Sequence, residues 1–334
     1  MTVQYAVPCV SKQLTFHRKI MTNAKPTLFD QPRFSSLLRT RTLGRRLAWH
    51  ESTPSTMTLA DELLRAEGSA AHGTVILAEQ QTAGVGRRGR SWISQPLGNL
   101  YFSLLWAPLL PPGGDGIALM PQLVRLNLAA SVAVVRASHD AGIASARIKW
   151  PNDVWAGEPT PRKLSGTILN FDGNSAAVLG VGINVLQQMD ANATATSLST
   201  LHASLPAEAH VPPISREAVL ATFCSELERL MSSTTEAVLD EYREHDLLRG
   251  RTIRVHHKTR EQDDPSDFDA LVLGIDGQGY LRVRPLNGPK QGGEISLSGE
   301  EVSITPKELT GGGDGEPAAA AAPADATAPK KDEL

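Results

Sequence analysis

Residues 147–185 read RIKWPNDVWAGEPTPRKLSGTILNFDGNSAAVLGVGINV, and they hold three strand-forming runs with polar groups at their ends. Arg147-Ile148-Lys149-Trp150 alternates and stops at Pro151, which cannot donate to a continuing ladder. Lys163 to Phe171 is apolar and partly β-branched, and Asp172-Gly173-Asn174 ends it as a turn. Ala176 to Val185 pairs with it as a hairpin. Asn152 and Asp153 stand after the first run, Arg162 and Lys163 open the second, and Asn184 lies near the end of the third. Strand ends and their loops are where binding groups collect, and Gly180 and Gly182 let a ligand lie against a strand. Taken singly these signs are weak. A strand can exit through Asn-Asp without binding anything, and a loop lysine is most often solvated.

Working toward the N-terminus, a long apolar helix is predicted from Pro121 to Ala141, with Gly142 just past its end. Asn99 to Trp106 (NLYFSLLW) is strand-like. Before it runs Gln80-Gln81-Thr82-Ala83-Gly84-Val85-Gly86-Arg87-Arg88-Gly89-Arg90-Ser91-Trp92, in which glycines are interleaved with arginines. Glycine keeps a loop adaptable, and arginine offers a planar, permanently charged fork to phosphates and carboxylates. The pattern predicts a basic loop that orders around an anion. Gly73 to Glu79 is the strand feeding it, and Ser55-Thr56 caps a helix over Met57–Glu67 that Gly68 stops.

Toward the C-terminus, Ser215–Met231 and Thr235–His245 read as amphipathic helices. From Gly250 the texture becomes short alternating strands: Thr252–His257, Ala270–Ile275, Tyr280–Val283 and Glu294–Leu297. The Gly/Ala/Pro-rich residues beyond Thr310 cannot bury enough surface to fold.

Composition bounds the function. The chain has 334 residues, 41% hydrophobic, with a formal net charge of -3. That length fits about two domains, and the charge gives no reason to expect nucleic acid as the main partner. No apolar run reaches the ~20 residues of a membrane span. Cys9 and Cys224 are the two cysteines, too few for a disulfide framework or a zinc site. The first 47 residues carry nine Lys and Arg against one acid, Asp30. Such leaders resemble organelle transit peptides for plastid or mitochondrion, and Met21 could start a shorter cytosolic form. The ending Lys331-Asp332-Glu333-Leu334 spells an ER-retention address, but no apolar signal segment precedes it, so we read it as inert.

In their order and spacing the motifs resemble those of biotin protein ligases. Ser55-Thr56, the loop ending at Trp92, KWPND at 149–153, RKLSG at 162–166, GVGIN at 180–184 and GGEISL at 292–297 follow that family's succession, so the resemblance covers roughly residues 48–304. It implies an α+β fold: a class II aminoacyl-tRNA-synthetase-like catalytic domain, with a mixed sheet flanked by helices, plus a small SH3-like β-barrel. The domain boundaries expected are 1–47 leader, 48–248 catalytic, 249–308 SH3-like and 309–334 tail. It also implies a two-step reaction, in which the biotin carboxylate attacks the α-phosphate of ATP and a carrier-domain lysine then takes the acyl group from biotinyl-5′-AMP.

By the same resemblance, Ser55, Thr56, Gln81, Gly84, Val85, Gly86, Arg87, Lys163 and Gly166 would bind biotin. Arg87, Arg88, Trp92, Asn152, Asp153, Gly182 and Asn184 would bind ATP or the adenylate. Lys163, Arg87 and Lys149 would be catalytic, Asp153 would neighbour a metal, and Mg²⁺ would accompany ATP. Preorganised cations of this kind are worth ~3–4 kcal/mol each to an anionic transition state. The implied partner is the biotin carboxyl carrier domain of acetyl-CoA carboxylase or a similar carboxylase; a homodimer stays open. Three departures stand out. Val85 replaces an arginine common in the loop, Met57 replaces a polar residue, and no winged-helix pattern precedes residue 48, so DNA binding is not expected. The rival readings are a lipoate–protein ligase, which shares the acyl-adenylate chemistry, a non-catalytic biotin- or nucleotide-binding protein and a nucleic-acid-binding module.

Overall fold

A computed structural model describes residues 27–108, 120–171, 176–190, 193–206, 211, 213–257, 267–288, 291–299 and 302–306. Cys9, Met21, the turn at Asp172 to Asn174 and the KDEL ending lie outside the described residues.

Local signals set most helices. Ser55 caps α2 (Thr56–Glu67), its Oγ accepting from Met57 N, and Gly68 ends it at φ 57°. Ser215 caps α5 (Arg216–Met231) and Thr234 caps α6 (Thr235–Glu244) in the same way. Between α2 and α5 in the chain come α3 (Met120–Asp140), buried along most of its length, and the short α4 (Leu198–Ala203).

Seven strands form one mixed sheet: β1 (Leu47–Thr53), β2 (Val75–Gln81), β3 (Leu100–Trp106), β4 (Arg147–Lys149), β5 (Asp153–Ala156), β6 (Arg162–Phe171) and β7 (Ala177–Ile183). Their spatial order is β1-β2-β3-β7-β6-β5-β4. β1 and β2 are parallel and the other pairs antiparallel. All seven positions of β3 are buried because both faces are covered. Phe102 meets Phe223 of α5 on one face, while Leu105 joins Met57 and Ala60 of α2 on the other. This alternation is the period-2 consequence of the pleat.

A second, antiparallel sheet follows, in the order β11-β10-β9-β8-β12: β8 (Thr252–His257), β9 (Phe268–Ile275), β10 (Leu281–Pro285), β11 (Ile295–Leu297) and β12 (Val302–Pro306). Its Ile253, Val255, Val272 and Leu281 belong to the same buried cluster as α3 and the first sheet. Trp150 Nε1 also donates to Gly279 O at 3.0 Å.

Two features depart from the sequence reading. Residues 27–47, read as the end of a basic leader, are part of the folded body. α1 (Gln31–Leu37) starts there with Asp30 as its cap, and Phe29, Phe34, Leu38 and Leu43 are buried. Distant carboxylates satisfy the segment's backbone: Glu79 accepts from Phe29 N at 2.6 Å, and Glu228 accepts from Arg41, Thr42 and Leu43 N at 2.6, 2.8 and 3.0 Å. Burial pushes the Glu228 carboxyl up, but these three donors outweigh it and hold it below its ordinary range. The other departure is β5. The chain does not leave the sheet at Asn152 but turns back at once, pairing Lys149 with Asp153 and Ile148 with Val154.

Candidate active site

The strand-end groups converge because β2, β6 and β7 lie side by side with β3 and β5, and the loop after β2 crosses over them. Within that loop Val85 bridges Ser91, Gly86 N donates to Arg90 O at 2.7 Å and Trp92 N donates to Gly84 O at 2.8 Å. Beneath it is a cavity of about 230 Å³. Of the expected residues, Ser55, Thr56, Gln81, Val85, Gly86, Arg87, Trp92, Lys149, Asn152, Asp153, Lys163, Gly166 and Gly182 line its wall.

One end is neutral and hydrogen-bonding. Thr56 N and Thr56 Oγ1 both donate to Gln81 Oε1, at 2.9 and 3.1 Å, and Gln81 Nε2 donates to Ser94 Oγ at 3.4 Å. The helix cap Ser55 sits beside them, 4% exposed.

The other end gathers cations. Lys163 Nζ lies 2.8 Å from Asp153 Oδ1 and 5.5 Å from the centre of the Trp92 ring. Lys149 Nζ stands 4.6 Å over Trp155. Burial pushes the Lys149 ammonium down; Asp153 opposes this, while Lys163 and Arg90 add to it. Arg87 donates to Asn152 Oδ1 and to Gly299 O, both at 2.8 Å, so it spans from the loop to the second sheet. Asn152 in turn donates through Nδ2 to Thr167 O. The Trp92 ring lies flush on Gly182, where any Cβ would overlap it.

Three expected residues stand differently from the rest. Asn184, expected at the adenine, is not in the cavity wall. Its Nδ2 donates to Thr196 O at 3.0 Å, and its carbonyl accepts from Leu198 N, so it ties the strap before α4 to β7. Gly84 is buried at the root of the loop and also lies outside the wall. Asp153, expected to neighbour a metal, is paired with Lys163, and among the described residues no group of three His, Cys, Asp or Glu could hold a metal ion. Arg88 falls in the short turn Arg87–Gly89.

Sequence reasoning missed Arg90, Thr167 and, from β12, Val302 and Ile304, all of which line the cavity. Arg90 was visible within the arginine run, but composition does not say which of three arginines turns inward. β12 left no such signal, since VSITP is too short and too mixed to stand out.

The chain has relatives among known proteins. A sequence profile described as Biotin/lipoate A/B protein ligase family matches residues 49–185. The biotin--[acetyl-CoA-carboxylase] ligase of Mycobacterium tuberculosis is 30% identical over 259 residues, covering 73% of this chain and 87% of that protein. The bifunctional ligase/repressor BirA of Bacillus subtilis is 34% identical over 165 residues, 49% of this chain and 48% of that protein. The chain thus spans about half the length of that relative, and 34% of the human biotin--protein ligase, to which it is 27% identical. Among solved structures, the biotin protein ligase from Aquifex aeolicus in complex with biotin and ATP superposes with a TM-score of 0.59 at 24% identity, covering 79% of this chain and 100% of that one. That likeness bears on the fold. The mycobacterial match covers most of both chains, and on it we conclude that the chain belongs to the biotin/lipoate A/B protein ligase family.

Proposed function

We propose that this chain is an ATP-dependent biotin–protein ligase. The observation that carries the reading is one cavity with two unlike ends: a neutral, hydrogen-bonding end at Thr56 and Gln81, and a cationic end at Arg87, Arg90, Lys149 and Lys163. A cyclic urea fits the first and a carboxylate beside phosphates fits the second. In the first step a biotin carboxylate oxygen bonds to the α-phosphorus of ATP and the bond to pyrophosphate breaks. In the second, a carrier-lysine amine bonds to the acyl carbon, loses a proton, and AMP leaves. Two anionic reactants repel, so fixed cations lower the barrier as charge builds. The loop excludes water that would hydrolyse the mixed anhydride.

For each group the roles follow from position. Lys163 exchanges Asp153 for the reacting carboxylate, and Arg87 and Arg90 face the phosphates. Trp92 offers the adenine an aromatic face. Mg²⁺ would accompany ATP and offset its phosphate charge, since among the described residues Asp153 alone does not make a resident metal site. The acceptor is a biotin carboxyl carrier domain of acetyl-CoA carboxylase or a similar enzyme. The five-stranded sheet is the SH3-like unit of the fold. Any organelle leader would end before Phe29, because Phe29 and Phe34 are buried in the core.

The test is incubation of the purified chain with labelled biotin, ATP and a carrier domain. Label on the carrier lysine, and pyrophosphate release dependent on biotin, are expected. Equal release with lipoate would transfer the assignment to the lipoate branch of the family, and no release with either would remove the catalytic reading.

A further inference from the structure

Ser103 is the one aliphatic hydroxyl residue in β3, a largely apolar strand, and it is 0% exposed. In register it faces Ile76 on one neighbouring strand and Gly180 on the other. A buried hydroxyl is kept where its hydrogen bond matters. Its Oγ lies 2.9 Å from Thr56 Oγ1. Ser103 itself is not in the cavity wall, whereas Thr56 and Gly180 are.

The direction of each hydrogen bond in this chain of groups follows from proton counting. Thr56 N–H can only donate, so the Gln81 atom that receives it must be the amide oxygen. Thr56 Oγ1, 3.1 Å from that same oxygen, must therefore donate its single proton there. With that proton committed, the contact between Ser103 and Thr56 has one polarity left: Ser103 donates and Thr56 accepts. The Thr56 hydroxyl is thereby held with an unused lone pair for the cavity, next to the Gln81 amide N–H₂.

We infer that Ser103 is a positioning residue that sets the Thr56 hydroxyl as an acceptor, so that the neutral end of the cavity selects a ligand head carrying an N–H donor beside a carbonyl acceptor. This rests on the biotin reading and deepens it, because a cyclic urea has that pattern and a dithiolane ring does not. Gly180 supports the same selection by shape. A Cβ there would crowd Met57 Sδ at 2.7 Å and Ile168 Cγ2 at 2.9 Å, so these apolar side chains pack close against β7.

The experiment compares wild type, Ser103→Ala and Ser103→Thr by calorimetric biotin binding, steady-state kinetics and thermal melts. Loss of one neutral hydrogen bond corresponds to about a tenfold change in affinity. Ser103→Ala should raise both Kd and KM for biotin about tenfold with kcat little changed, and Ser103→Thr, which keeps the donor, should restore most of the affinity. A merely structural role would lower the melting temperature and kcat together without that split. A folded Ser103→Ala variant that binds biotin within twofold of wild type overturns the inference. Should both variants fail to fold, wild type alone decides. It should bind biotin methylated at the ureido nitrogens about tenfold or more weaker than biotin, and equal binding overturns the inference. Wild type that binds no biotin at all defeats the biotin reading itself, a distinguishable result.

Discussion

In the proposed reaction, Lys163 is the side chain on which most of the chemistry rests. It enters the cavity from the first residues of β6, where Asp153 at 2.8 Å holds it. Replacing Lys163 by Ala should lose ~3–4 kcal/mol of transition-state stabilisation, or roughly 10²–10³ in the adenylation rate. Pyrophosphate release checks this, and near-normal turnover would remove Lys163 from the mechanism. Lys149 behaves differently because its ammonium is pushed down by burial. A lysine whose folded pKa lies below its unfolded value binds fewer protons in the native state. Its contribution to stability is full above about pH 10.4 and is lost as pH falls through the folded pKa. At neutral pH it is a net cost retained for the site. Lys149→Met should therefore melt higher than wild type at pH 7 while losing adenylation, and a lower melt would contradict the account.

At the scale of elements, β4 is a sheet edge that carries Lys149, and something must cover it. The turn after α6 does so: Ile148 N donates to His245 O at 2.7 Å and Leu247 N donates to Ile148 O at 2.8 Å. Burial pushes the His245 imidazole down to about 4, helped by Arg136, His139 and Arg147, while Glu241 opposes. Protonating it in place is thus unfavourable. Stability linked to His245 is whole above about pH 6.5 and is lost as pH falls toward 4. Acidification over that window should lower the melting temperature, and His245→Gln should flatten the slope. An unchanged slope in the variant would clear His245 of the effect. This brace is also where local reading of a sequence stops. The cap at Ser55, the strand at Asn99–Trp106 and the hairpin of β6 and β7 depend on neighbours within a few residues, and they were legible. β5 was not, because its pairing with β4 begins immediately after Pro151, where local chemistry argues for an exit. Asn184 was placed at the ligand because its motif suggested so, yet its partner, Thr196, is reached only through the fold of the strap.

The whole molecule is knit by contacts far apart in sequence. Arg216 and Glu79 form an ion pair at 2.6 Å with 3% and 2% of their side chains exposed. Arg216 also donates to Asn99 O and Thr27 O, and Glu79 accepts from Trp49 Nε1. The pair therefore joins β1, β2, β3, α5 and the segment before α1. Removing one partner strands a buried charge, so Arg216→Ala should cost ~3–5 kcal/mol in urea unfolding. A loss under ~1 kcal/mol would mean water reaches Glu79 and the pair is not the junction described. That junction explains why a lysine- and arginine-rich beginning misled: its basic character says nothing of Phe29, Phe34 and Leu43, whose burial needs α5. On the opposite side, β12 brings Ile304 to the cavity. Ile304→Asp should raise the KM for ATP about tenfold or more by adding a like charge near the phosphates. An unaltered ATP KM would place the phosphates away from β12.

The position of β12 has a bearing on biosynthesis. In the order of synthesis, the seven-stranded sheet, its helices and Arg87, Arg90, Lys149 and Lys163 all precede Val302 and Ile304. Until these two are made, one side of the cavity is missing, and Arg87 gains the Gly299 carbonyl that anchors it only shortly before. On the proposed activity, a nascent polypeptide would therefore gain a closed cavity only once Val302 and Ile304 have emerged.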